Sequence, residues 1–326
     1  MPTPAPHRSD DMTARLMLMM LSLGWGVTWS TMRIALMEIP PLSMRVATMF
    51  IGAVTLWALT RARGRSFALR SPIVVAHVIV AALFNVVGFS LFTPFAQLYA
   101  ATSRVTILVY TMPIWASLLA RFVLGERLTT SRALALALCV AGMAVLIYPL
   151  TATGVPLGIM LALGAAVSWA AGTVYLKWAR IQAEPMAVTF WQILIAFVVI
   201  TACLPVFEGS LHLWPLHAKT IVALVFSGLV GSGIAYFLWF DIVRRLPAMT
   251  ASLGVLSVPA VGIVASVVML GERPTVPDIV GFALIFAASG FVLLTPSALP
   301  ATRERTNPSA VLPRETGVSS NPSANE

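Results

Sequence analysis

The sequence predicts an all-α integral membrane protein of ten transmembrane helices, arranged as two inverted five-helix repeats. Three observations predict it: a composition too apolar and too thinly charged for water, a series of charge-free stretches of bilayer length, and a motif that recurs once, about 145 residues after its first appearance. Hydrophobic residues make up 59% of the 326 and charged residues 10%, with a mean hydropathy of +0.90. A soluble domain carries about a quarter charged residues, so lipid is the solvent that fits. The apolar segments do not alternate with polar residues, as the strands of a membrane barrel would. Helices are therefore the reading.

The charge-free stretches give the elements in order, each near the ~20 residues that a spanning helix needs. Residues 16–32 lie between Arg15 and Arg33 and form the first span. They could mimic a secretory signal, but no small-residue cleavage site follows and many more spans do. Residues 42–60 come next, with Arg45 near their start. The stretch 71–103 has no formal charge and is too long for one span, and Pro94 suggests a turn after a helix of roughly 72–92. Residues 105–120 follow. Residues 133–176 suffice for two spans, separated by the turn-type segment from Pro149 to Pro156. Then come 185–207, 220–240, 246–271 and 279–302, the last ending near Thr295, before Pro296. The domains expected are a polar tail 1–13, five-helix repeats at 14–148 and 156–295, and a tail 296–326. Both tails read as disordered and cytoplasmic.

Charge sets the orientation. With the N-terminus in the cytoplasm, 16 of the 21 Lys and Arg fall on the cytoplasmic side, including Arg61, Arg63, Arg65 and Arg70 in one loop. Only Arg33, Arg45, Arg104, Lys219 and Arg273 fall on the far side. The positive-inside bias places both termini in the cytoplasm of a cell (inner or plasma) membrane and favours an even number of spans. The net charge of +9 does not suggest nucleic acid, because the basic residues are scattered in short segments between apolar runs.

The halves repeat. Leu124-Gly125-Glu126-Arg127 recurs as Leu270-Gly271-Glu272-Arg273, and Pro113 recurs as Pro259, both 146 residues on. Trp25 recurs as Trp169, and Arg33 as Lys177, 144 residues on. A unit this long is no solenoid repeat. Five spans per unit is odd, so the second copy must enter the membrane from the opposite side, as in several secondary transporters. On the two LGER segments, each a dozen or so residues after a mid-span proline, with Gly24-Trp25-Gly26 and the Pro41 to Arg45 start of the second span, the chain resembles the EamA-domain transporters of the drug/metabolite transporter superfamily. The likeness covers roughly residues 14 to 295. It implies a ten-helix carrier for small organic metabolites such as amino acids or related compounds, often an exporter, with a lipid bilayer and a small-molecule substrate as partners. A homodimer is left open.

Polar residues within a membrane are costly, so each asks for a reason. Trp25, Trp29 and Arg33 share a helix face at i, i+4 and i+8, and Trp169, Thr173 and Lys177 repeat that spacing. A face kept in both halves points toward a substrate path; the alternative is that the tryptophans anchor at the interface and the cations snorkel. Arg45 and Arg104, near outer span starts, could draw in an anionic substrate or contact headgroups. In the second half, Thr189 to Trp191 stand where Arg45 stands in the first. Asn85, Phe89, Phe92, Thr93 and Gln97 make one stripe, and Ser103, Thr106, Tyr110 and Ser117 another, serving a site or helix packing. Asn85 and Tyr110 are the deepest of these, and Trp191, Gln192, Tyr236 and Trp239 are lesser candidates.

Pro113 and Pro259 free backbone carbonyls at mid-span, which suits a helix break at a site or a plain kink. Glu126 and Glu272 suit helix-end locks or a gate. The substrate residues expected are thus Trp25, Trp29, Arg45, Asn85, Tyr110, Trp169 and Thr173, and those for helix breaks and gating are Pro113, Pro259, Glu126 and Glu272. No HExxH, GxSxG or P-loop occurs, no His set has metal spacing, and Cys139 and Cys203 lie inside apolar runs. No catalytic residue, cofactor or metal is expected, and a membrane enzyme or a channel remains the alternative class.

Overall fold

Proline and glycine punctuate the helices. In the computed structural model, which describes residues 8–125, 130–148, 157–238 and 257–294, Pro41, Pro72 and Pro185 each open a helix. A missing N–H costs little there, because first-turn donors have no partner within the helix. Gly64, Gly125, Gly209 and Gly271, all at positive φ, follow the last turns of four helices. The helices in chain order are α1 (Arg8–Ala35), α2 (Pro41–Ala62), α3 (Pro72–Tyr99), α4 (Thr102–Val123), α5 (Thr130–Ile147), α6 (Leu157–Ala179), α7 (Pro185–Phe207), α8 (Ala218–Leu238), α9 (Ser257–Leu270) and α10 (Val276–Leu294). No strand occurs among the described residues.

Six of these helices, α2, α3, α4, α6, α7 and α8, are long and apolar enough to cross a bilayer. Shorter apolar stretches occur in α5 (Leu136–Ile147), α9 (Val258–Leu270) and α10 (Val276–Ala288). Large apolar side chains such as Phe50, Phe122, Val206 and Val268 point outward, as they do where the surroundings are hydrocarbon. Inside, Thr28, Thr55, Thr60, Thr106 and Thr189 each donate a hydroxyl hydrogen bond to the carbonyl four residues back. A buried hydroxyl thus finds a partner on its own helix.

Three helices depart from regular winding. α3 is π-helical over Leu83–Gly88 and α8 over Ser227–Ile234, two segments that begin 144 residues apart, as Trp25 and Trp169 do. A wide turn leaves carbonyls without their usual donor. Ser168 Oγ donates to Phe84 O at 2.7 Å, and Trp25 Nε1 donates to Gly231 O at 3.2 Å. The expected turn at Pro94 is not there: α3 runs on to Tyr99 with Pro94 inside it. Pro94 has no N–H to give Ser90 O, and Arg45 Nε supplies that donor at 3.0 Å. In α4 the helix stops at Val109, turns at Tyr110 and Thr111, and restarts at Met112 with Pro113 in the new first turn.

The main packing partners join residues before 149 to residues after 156. α1 lies on α9 and α8, α2 on α8 and α7, α3 on α6 and α7, α4 on α6, and α5 on α10. Exchanging α1–α5 for α6–α10 reproduces this pattern. The approaches are close at glycines. A Cβ on Gly26 would lie 2.5 Å from Val261 Cγ1, and one on Gly233 would lie 2.6 Å from Thr55 Cγ2.

Candidate functional site

Between α1, α2, α3, α4, α6, α7 and α8 lies a cavity of about 330 Å³, within the ~300–1,000 Å³ of small-molecule sites. The seven residues marked for substrate contact all line it: Trp25 and Trp29 from α1, Arg45 from α2, Asn85 from α3, Tyr110 from α4, and Trp169 and Thr173 from α6. The structure thus brings together side chains up to 148 residues apart in sequence.

Aromatic rings form one continuous arc around the space. Trp29 meets Phe89 at 6.3 Å between centroids, Phe89 meets Trp169 at 5.0 Å, Trp169 meets Tyr236 at 6.3 Å, and Tyr236 meets Trp25 at 5.7 Å. Most of these contacts are edge-to-face, the arrangement that ring quadrupoles favour. Tyr110 reaches the cavity from the break in α4, and Trp29 lines the same space. Asn85 sits in the π-helical segment of α3 and donates from Nδ2 to Gln192 Oε1 of α7 at 3.5 Å. Its Oδ1 is buried without a partner among the described residues, close against Gly172 of α6.

Arg45 is buried, 8% exposed, one turn into α2. Its Nε donates to Ser90 O, and its Nη2 donates to Thr93 Oγ1 and to Met32 Sδ at 3.1 Å. The Pro94-freed carbonyl draws the guanidinium inward. Thr189 of α7, which the sequence marks only as the replacement for Arg45 in the second half, also lines the wall, as do Gln192 and Tyr236. Met32, Met49, Gly231 and Ser232 also line it without any sequence signal for a site; the last two lie in the π-helical segment of α8.

Other candidates lie elsewhere. Arg33 donates to Gln97 O, Gln97 Nε2 donates to Trp29 O, and Trp191 Nε1 donates to Phe67 O. Phe92, Arg33 and Lys177 are not in the lining; the Phe92 ring lies instead by Gly164 of α6. Arg104 is paired to Asp278, Nη2 to Oδ1, at 2.6 Å. Pro259 is buried in the first turn of α9. Glu126 and Trp239 fall outside the described residues. Among the described residues no group of three or more His, Cys, Asp or Glu could hold a metal ion.

Glu272 has a definite partner. Gly271, in the left-handed conformation, ends α9, and Glu272 then accepts from Thr102 N at 2.6 Å and Ser103 N at 2.9 Å, capping α4. Glu208, after α7, caps α2 in the same way through Leu42 N and Ser43 N at 2.7 and 2.9 Å. Glu38 accepts from His217 N and pairs with His217 Nδ1 at 2.8 Å. The backbone N–H of His217 holds the Glu38 carboxyl below the usual carboxylate range. With Asp278 to Arg104, four carboxylates on one face each tie an element before residue 149 to one after residue 156. At the other end of the cavity Thr173 is exposed, and Leu176 joins it in the lining.

A bundle of membrane-length apolar helices around an aromatic pocket suits the class of solute transporters. The sequence profile of the EamA-like transporter family matches residues 12–148 and again 156–294, and the chain belongs to that family. Among its relatives is an uncharacterized transporter of Bacillus subtilis, YoaV, 24% identical over 81% of this chain and 91% of that one. Another is a probable amino-acid metabolite efflux pump of Escherichia coli, 25% identical over 85% of this chain and 92% of that one. A solved crystal structure, 26% identical, superposes with a TM-score of 0.61 over 86% of this chain and 96% of its own. The protein is a multi-pass membrane transporter of the drug/metabolite transporter superfamily.

Proposed function

We propose that the protein exports small organic metabolites, amino acids or related compounds, across the cell membrane by alternating access. The observation that carries this reading is the cavity itself. It is walled by helices of both halves, tied on one face by Glu38, Glu208, Glu272 and Asp278, and lined at its other end by the exposed Thr173. In this reading the spans number ten, in repeats 14–148 and 156–295, and the second repeat is inverted. The exchange symmetry of the packing and the paired π-helical segments support that arrangement. Trp25, Trp29, Arg45, Asn85, Tyr110, Trp169 and Thr173 contact the substrate, Pro113 and Pro259 mark helix breaks, and Glu126 and Glu272 serve opposite gates. Both termini are cytoplasmic, and the carboxylate-tied face is then the outer one, so this is the state open to the cytoplasm. The relatives named as efflux pumps support the direction and the substrate class.

Reconstitution into liposomes with a panel of labelled amino acids and their derivatives tests the reading. Saturable flux that competes between substrates is expected. Ion current without saturation would assign a channel, and chemical conversion without flux would assign an enzyme.

A further inference from the structure

The charge balance of the cavity speaks to the kind of metabolite carried, a step that rests on the transport reading above. Arg45 brings a permanent positive charge into the wall. Among the described residues no Asp or Glu lines the cavity, and none is paired with this guanidinium. Its Nε and Nη2 are committed to Ser90, Thr93 and Met32. The two N–H groups of Nη1 have no partner among the described residues and are left for a ligand.

The other described residues around the space are aromatic, aliphatic or neutral polar. Ring faces can hold a cation, which is the competing reading, but here a cation would sit beside another in a volume of low dielectric. A zwitterion would leave the site with a net positive charge and its ammonium without an acid. A monoanion alone makes the site neutral and meets the free N–H groups of Nη1 with a charge-assisted hydrogen bond. We infer that, among the amino acids and related compounds of that reading, the cavity prefers the related organic monoanions to the zwitterions: a carboxylate, or a planar anion like it, on an apolar body of ring size, without an ammonium group. The carboxylate binds Arg45 at the carboxylate-tied end, and the body lies within the arc of Trp25, Phe89, Trp169 and Tyr236.

The test uses three molecules of one skeleton: 3-phenylpropionate, phenylalanine and 2-phenylethylamine. Each is titrated into the purified full chain in detergent, with quenching of tryptophan fluorescence as the readout. The anion should bind at least about tenfold more tightly than the zwitterion, and the amine more weakly than either. Arg45→Met combined with Pro94→Ala, in which residue 94 regains an N–H for Ser90 O, should bind all three within about twofold of one another. Arg45→Lys should keep the ranking with weaker affinity, because charge remains while the fork is lost. Equal or inverted ranking in the unmodified protein, no measurable binding of any of the three, or a ranking that survives in the Arg45→Met/Pro94→Ala chain would overturn the inference. Tight binding of the anion without flux in liposomes would instead sink the transport reading and leave this one standing.

Discussion

The carbonyl of Ser90 loses its helical donor to Pro94, and Arg45 replaces that donor from another helix at 3.0 Å. Removing the guanidinium by Arg45→Met therefore leaves a buried carbonyl unpaired, at a cost of about 1–3 kcal/mol. Pro94→Ala returns an N–H to the same carbonyl from within α3. The two substitutions should be coupled: the loss in thermal midpoint caused by Arg45→Met should fall by at least about half when Pro94→Ala is also present. Simple additivity of the two midpoint shifts would show that Arg45 and Pro94 do not share that carbonyl. Neither residue announces the other in sequence, since 49 positions separate them and each has a sufficient local explanation. An arginine near a span end reads as a headgroup contact, and a proline in an apolar run reads as a turn.

Among the helices, the crossing of α3 and α6 is the most constrained by size. A Cβ on Gly172 would stand 2.5 Å from Asn85 Cγ and 2.7 Å from its backbone N, whereas one on Gly164 would meet only the Phe92 ring at 3.6 Å. Gly172→Ala should therefore destabilise the protein by about 1–3 kcal/mol, since backbone must move. Gly164→Ala should be neutral or stabilising, by up to about 1 kcal/mol, because alanine is the better helix former. Thermal midpoints of the two variants decide it; equal shifts would mean that α3 and α6 are not in this close contact. The sequence shows both glycines in one apolar helix and cannot rank them. The ranking comes from the packing, which sets Asn85 of the π-helical segment against Gly172.

Across the whole molecule, four carboxylates tie the helices together at one face, while the cavity is lined at its far end by an exposed threonine. Hydrogen bonds to a charged group are worth about 1.5–3 kcal/mol each, and every 1.4 kcal/mol is tenfold in a population. Glu208→Gln with Glu272→Gln weakens two of the four ties and should favour the state open to that face. A cysteine at Met32, a cavity residue only 4% exposed, would report it in a chain whose Cys139 and Cys203 are replaced by alanine. A membrane-impermeant maleimide added outside intact cells should label that cysteine several-fold faster when both glutamates are changed. An unchanged rate would show that these ties are not the gate, and faster labelling only from the cytoplasmic side would reverse the assigned orientation.

What the sequence determined by itself is the part that lies along one dimension. Hydropathy and charge spacing are local, so the all-helical membrane class follows from them, as do the helix starts near Pro41, Pro72 and Pro185. Repetition is also linear, so the match of Trp25 to Trp169 and of one LGER segment to the other singled out side chains that meet at one cavity and a glutamate that bridges two helices. The tertiary structure alone decided the rest. It extended α3 through Pro94, turned Phe92 away from the cavity, sealed Arg45 beneath the tied face, and added Thr189 and Ser232 to the wall. These outcomes depend on which distant helix supplies a missing hydrogen-bond partner. In a membrane interior every freed carbonyl must find one, and the choice among remote donors is made only when the helices pack.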